Sequence, residues 1–327
     1  MFRHATAVLM LCGLLVADTV WADSADRLLR KAHRYFEPLP ATMPGTENDT
    51  PERISLGKKL YFDKRLSNND TLSCASCHRL EDRAAGVDNL PTPTGTGGTP
   101  GKRNTPTVLN AGWQTTLYWD GRAWDLADQA GKAILNPSEM GMPNEQAVID
   151  KIAALPDYVE AFRKAFPDSE TVLSYRNLRE AIAAFERTLR SEARFDDFLR
   201  GDSGALNEQE LRGLKIFMST NCVRCHDGQL VGGTLQETLG AEAPFPDTDD
   251  LGRYEITKIE NDKMVFKVAQ LRNVAVTGPW FHNGSGKELR EVVRIMGRIQ
   301  LAIEFMEDEI DDIVAFLGTL TGKELEN

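Results

Sequence analysis

Cysteine and histidine are scarce in this chain, at five residues each among 327. No second Cys or His pair stands at zinc spacing from any other pair, which argues against a structural zinc site. No apolar stretch reaches the roughly 18 residues that a membrane-spanning helix needs, so stable membrane insertion is not expected. Basic charge is also short: 38 Lys and Arg face 49 Asp and Glu, for a net charge of −11. That balance makes nucleic acid an unsuitable partner and suits a small basic protein, although acidity also simply keeps an exported chain soluble.

The amino terminus reads as an export signal. Met1-Phe2-Arg3-His4 is a short basic start, Ala7 to Ala17 is apolar, and Val20-Trp21-Ala22 offers small residues for cleavage. Residues 1–22 are therefore expected to be removed, with a periplasmic mature chain starting at Asp23. Cys12 leaves with that segment, and no cysteine remains for a disulfide.

The four remaining cysteines form two identical patterns, Cys74-Ala-Ser-Cys77-His78 and Cys222-Val-Arg-Cys225-His226. Cys-x-x-Cys-His supplies two thiols to add to haem vinyl groups and a histidine to ligate the iron. Two covalently bound haem c groups follow, placed nearly 150 residues apart. A mature chain of this length accommodates two domains, and a boundary is expected near Phe198 to Ser203. The domains are read as 23–199 and 200–327, one haem in each.

Periodicity indicates a mainly α fold of two cytochrome c-like domains. Asn207 and Glu210 form a capping box, followed by Leu211, Leu214, Phe217 and Met218 at helical spacing up to the second motif. Leu56 to Phe62 precedes the first motif in the same way. Helical runs are predicted over Ala147 to Phe166 and Asn177 to Leu199, and a closing helix over Ile310 to Leu320, ending near Gly322. Leu90 to Gly101 is rich in Gly, Pro and Thr and reads as a loop, a flap beside a haem more than a mere connector. Gly232 to Leu251 is similarly irregular, and a short hairpin is predicted around Tyr254 to Val268.

Several runs resemble the bacterial di-haem cytochrome c peroxidase family: Leu56-Gly57-Lys58-Lys59-Leu60-Tyr61-Phe62-Asp63, Arg103-Asn104-Thr105-Pro106, Trp119-Asp120-Gly121-Arg122, Phe266-Lys267-Val268, Leu271-Arg272-Asn273, Phe281-His282-Asn283-Gly284 and Met296-Gly297. They span nearly all of the mature chain in order. The resemblance implies reduction of hydrogen peroxide with electrons from a small donor such as a cytochrome c or a cupredoxin. It implies Met296 as the distal ligand of an electron-transfer haem, where a His/Met pair raises the potential. At the first haem it implies Glu139 as acid/base residue and Gln129 beside it, with Trp119 as a relay between the haems. Asn104, Thr277 and Pro279 match positions that hold calcium, whose preference for oxygen ligands they suit. Dimerisation is common in the family, so a homodimer is admitted.

One departure stands out. Family members that need reductive activation carry a histidine in the loop after the first motif, whereas this loop reads Gly95-Thr96-Gly97-Gly98. The first haem is accordingly expected to be five-coordinate or water-ligated without pre-reduction. The same absence resembles the enzyme that builds tryptophan tryptophylquinone in methylamine dehydrogenase, which oxidises residues of a partner protein. That enzyme has a tyrosine at its second haem, where Met296 stands here. Oxidation of a partner protein, or electron carriage without catalysis, are the alternatives.

Overall fold

In a computed structural model, which describes residues 25–246 and 249–326, the chain is mainly helical. The predicted signal segment lies outside the described residues. A first group of helices comprises α2 (Pro51–Tyr61), α4 (Leu126–Leu135), α5 (Glu145–Ala153), α6 (Pro156–Ala165) and α7 (Tyr175–Glu186), with the single-turn α3 (Cys74–Cys77) carrying the first motif; the helical residues 25–32 are α1. A second group comprises α8 (Arg194–Leu199), α9 (Glu208–Ser219), the short α10 (Tyr254–Thr257), α11 (Leu289–Leu301) and α12 (Glu307–Gly318).

Side-chain oxygens start most of these helices. Thr50 accepts from the amide of Arg53, and Pro51 supplies a first-turn residue that needs no hydrogen-bond acceptor. Asp125 and Asn144 cap α4 and α5 likewise. The predicted box at α9 forms in both directions: the Glu210 amide donates to Asn207 Oδ1 at 3.0 Å, and the Asn207 amide to Glu210 Oε2 at 2.8 Å.

Each motif is preceded by a helix in backbone contact with a partner. At Gly57 of α2 an added Cβ would lie 1.8 Å from the Ala181 carbonyl oxygen of α7. At Gly213 of α9 it would lie 1.8 Å from the Asp312 carbonyl oxygen of α12. Only a residue without a side chain permits either crossing. Around the first crossing pack Leu56, Leu60, Ile134, Val148, Phe162 and Ile182; around the second, Phe195, Leu214, Phe217, Ile313 and Phe316. Ala32 and Phe36 from the beginning of the described chain join the second core.

Asp196 and Arg272 form an ion pair at 2.6 Å with both side chains fully buried. Its remaining valences are filled: Asp196 also accepts from the amides of Leu39 and Ala193, and Arg272 Nε donates to the Gln229 carbonyl. Removing either partner alone would strand a buried charge, at a cost of about 3–5 kcal/mol. Through Gln229 this pair anchors the loop that leaves the second motif.

Four expectations need correction. The run from Ala147 to Phe166 is two helices, because Pro156 cannot donate the hydrogen bond that would continue α5. The run from Asn177 to Leu199 stops at Glu186 and resumes at Arg194; the intervening backbone turns to other partners, with the Asn110 amide donating to Leu189 and the Asn110 side chain to Ser191. Tyr254 to Val268 is not a hairpin. Its strand β2 (Val265–Lys267) pairs antiparallel with the distant β1 (Gln236–Thr238), in the register Gln236 with Lys267. The closing helix ends at Gly318, and Gly322 pairs with Ala193 instead.

Candidate active site and haem cradles

The turn of α3 brings Cys74, Cys77 and His78 to one side, with the His78 amide donating to the Cys74 carbonyl at 2.8 Å. His78 Nδ1 faces the Gly86 carbonyl at 3.3 Å. An acceptor there requires the proton on Nδ1 and leaves the Nε2 lone pair for a metal. Tyr61, itself fully buried, donates from its hydroxyl to the His78 carbonyl at 2.7 Å. Burial lowers the pKa of His78 and keeps the ring neutral.

The second motif repeats this arrangement on a 3-10 turn. His226 Nδ1 faces the Val231 carbonyl at 3.4 Å, and burial brings its pKa down to about 4. Gly232, at φ +118°, passes so close that a Cβ would lie 2.9 Å from His226 Nδ1 and 2.4 Å from the Ala269 carbonyl. All four thiols are free, and burial raises their pKa values, that of Cys77 to about 11. Two unpaired thiols and a neutral histidine with an available Nε2, present twice, fit two covalently bound haems.

Near the first motif lies Glu139, whose charge is felt by both Cys74 and Cys77. Its Oε1 accepts from Asn136 Nδ2 at 2.6 Å and sits 3.8 Å from Arg122 Nη2. Burial raises its pKa; the Asn136 hydrogen bond and Arg122 oppose that, and Asp120 adds to it. Tyr118 completes the group. The Arg122 guanidinium stacks on the Tyr118 ring at 3.5 Å, and the Tyr118 hydroxyl donates to the Gln129 carbonyl at 3.3 Å. Gln129, half-buried on α4, thus borders the same cluster. Neither Tyr118 nor Arg122 was singled out from sequence, although Arg122 belongs to the quoted Trp119-Asp120-Gly121-Arg122 run.

The loop after the first motif is docked onto this cluster. The Thr96 amide donates to the Glu139 carbonyl at 2.8 Å and its hydroxyl to the Met140 carbonyl at 3.0 Å. Gly95 packs so tightly that a Cβ would lie 2.2 Å from the Ser138 carbonyl. Of the described histidines, His78 and His226 follow the cysteines, His33 is exposed, and His282 is buried against Phe266 at 4.3 Å. No histidine occupies the loop.

Between the two groups of helices, Trp119 donates from its indole to the Asn104 carbonyl at 2.9 Å and meets the His282 ring edge-on at 6.5 Å. Asn104, Thr277 and Pro279 line one cavity of about 70 Å³ together with Trp119, Lys267 and Gln270. Asn104 Nδ2 is used on the Leu90 carbonyl, leaving Oδ1 as its acceptor. Nearby, Arg103 bridges Asp120 at 2.5 Å and Asp250 at 2.6 Å, while Arg122 reaches Asp120 at 2.7 Å. A charge network therefore runs from Glu139 through Arg122, Asp120 and Arg103 to Asp250. Met296 is half-buried on α11 among Phe245, Phe281 and Ile299, whereas His226 lies beside Phe217. Among the described residues no helix is long and apolar enough to cross a membrane.

Residues 51–204 match the model of the di-haem cytochrome c peroxidase family. The cytochrome c551 peroxidase of Pseudomonas aeruginosa is 40% identical over 98% of this chain and 94% of its own length. That of Nitrosomonas europaea is 41% identical over 94% of this chain and 90% of its own. A solved structure of a MauG-like protein associated with microbial copper homeostasis superposes with a TM-score of 0.77 at 30% identity, covering 88% of this chain and 94% of the other.

Proposed function

This chain belongs to the di-haem cytochrome c peroxidase family, and on that premise we propose that it reduces hydrogen peroxide to water with electrons from a small redox protein of the periplasm. The observation that carries the proposal is the carboxyl of Glu139, held beside the first Cys-x-x-Cys-His turn by Asn136 and faced by Arg122. A haem c held by Cys74, Cys77 and His78 would supply the peroxide-binding iron, and one held by Cys222, Cys225, His226 and Met296 an electron store.

The protein's part is proton handling and positioning. Glu139 would hold and pass on the proton that moves between the two peroxide oxygens, a role that a carboxyl with a raised pKa suits. Arg122 stabilises the carboxylate form between these steps, and Tyr118 and Gln129 wall the pocket. The Gly95–Gly98 segment, docked on the Glu139 backbone, has no histidine that could ligate a haem iron, so no reductive release of such a ligand would be needed. Trp119 couples the two haem sites. A calcium ion held by Asn104 Oδ1 and the carbonyls of Thr277 and Pro279, with the unpartnered Gln270 Oε1 beside it, would share this cavity with the Lys267 ammonium and no carboxylate of the chain, so it would need an anion from a bound group next to it. The sequence reading of the domains as 23–199 and 200–327 is amended by the packing, since Ala32, Phe36, Phe195, Phe198 and Leu199 belong to the second core; the acidic surface favours a basic donor.

Steady-state oxidation of a reduced small cytochrome c by peroxide tests this reading. Brisk turnover by protein never exposed to reductant is the expected result. Negligible turnover, or activity only after pre-reduction, would count against it.

A further inference from the structure

Lys267 ends strand β2 and is buried, with 6% of its surface exposed. Its amide donates to the Trp119 carbonyl at 2.7 Å, which fixes it against the indole-bearing segment. Its ammonium donates to the neutral Gln114 Oε1. Among the described residues no charged group acts on it, and none of the residues lining its cavity is acidic. Burial alone acts on its pKa, bringing it down to about 8. An isolated ammonium in such a place is costly unless an anion joins it, and two of its three protons remain for that anion.

The cavity adjoins both haem sites. Pro106, on one wall, offers its carbonyl to His78, and Ala269, on another, offers its carbonyl to His226. Each haem c carries two propionate carboxylates, and the chain brings no other carboxylate to this wall. We propose that Lys267 is the counter-cation of a haem propionate, its place at the cavity fixed by the bond of its main-chain amide to the Trp119 carbonyl. The inference rests on the reading that both motifs carry haem. It gives Lys267 a task separate from proton transfer at Glu139: it would neutralise a haem carboxylate in the cavity that borders both motif histidines.

The test is a spectroelectrochemical titration of the di-haem protein, without peroxide, comparing wild type with Lys267→Met and Lys267→Arg. Loss of the nearby positive charge stabilises the oxidised haem, so Lys267→Met is expected to lower one midpoint potential, and the haem affected owns the propionate. Lys267→Arg is expected to keep that potential near wild type. A haemochrome assay on the same samples counts haems, separating failure of the di-haem reading from failure of the assignment. If Lys267→Met does not mature, Lys267→Gln replaces it, and the resonance Raman propionate bending mode of wild type against Lys267→Arg reports the contact directly. Two correctly ligated haems with unchanged potentials in the neutral variant would overturn the proposal. So would a wild-type potential that follows the chloride concentration, because the ammonium would then be serving a free anion.

Discussion

Arg122 grips Asp120 at 2.7 Å through Nη1 and faces Glu139 at 3.8 Å through Nη2. The carboxyl proposed to move protons is therefore tuned by a cation that is itself held by a buried aspartate. Glu139→Gln should lower kcat/KM for peroxide by about 100-fold or more while leaving the haem spectra intact. A near-unchanged rate would remove Glu139 from the acid/base role.

The same pair fixes a pH dependence. Glu139 must be ionised to accept a proton from peroxide, so activity should fall as pH drops through its raised pKa. Arg122 works against that raised value, so Arg122→Gln should move the acidic limb to higher pH. Rate profiles that overlay for wild type and variant would show that Arg122 does not act through Glu139.

Gly95 tests the docked loop. Its φ of −81° suits any residue, so the sole effect of Gly95→Ala is the collision with Ser138. Displacing the loop should disturb the Thr96 bonds to the Glu139 segment and lower turnover by about 10-fold, a misplacement effect. Haem content and melting temperature should change little. Full activity in this variant would mean that the loop does not hold Glu139.

Glu186 closes α7 and is buried, with Oε2 lacking a hydrogen-bond partner; burial raises its pKa to about 8, against the influence of Arg187. The folded state thus prefers the protonated acid. The stability this confers is complete below the ordinary glutamate range and is lost as pH rises through about 8. The slope is at most about 1.4 kcal/mol per pH unit. Denaturant melts of Glu186→Gln should match wild type in acid and exceed it in mild alkali. Parallel stability curves at all pH values would contradict this.

Gly57→Ala and Gly213→Ala should each cost about 3 kcal/mol or more, since the added methyl meets backbone carbonyls that cannot rotate away. Thermal melts of the holoprotein measure this, and a loss below about 1 kcal/mol at either site would show that the helices separate easily.

Much of the scaffold was legible because its signals are local. The reciprocal cap of Asn207 and Glu210 and the stripe of Leu211, Leu214 and Phe217 need only one turn of helix to declare themselves. Pro156 escaped because apolar spacing continued across it, and β2 escaped because its partner lies almost 30 residues earlier in an irregular stretch. The cysteines and histidines of the two motifs were readable from spacing alone. Tyr118 and Arg122 were not, because their relation to Glu139 depends on α4 folding back between them. Lys267 stood in plain sight within Phe266-Lys267-Val268, but nothing in a short window distinguishes a buried lysine from a solvated one.

At Gly57 and Gly213 the distance between paired helices is set by a carbonyl oxygen meeting a bare α-carbon. Side-chain volume elsewhere in either core has no leverage on that distance. Substitutions that swell or shrink the surrounding hydrophobic residues will be absorbed by repacking around a stationary crossing. The turns that carry Cys74 and Cys222 follow the helices that make these crossings, so the place of each turn within its own core should be insulated from drift in core composition.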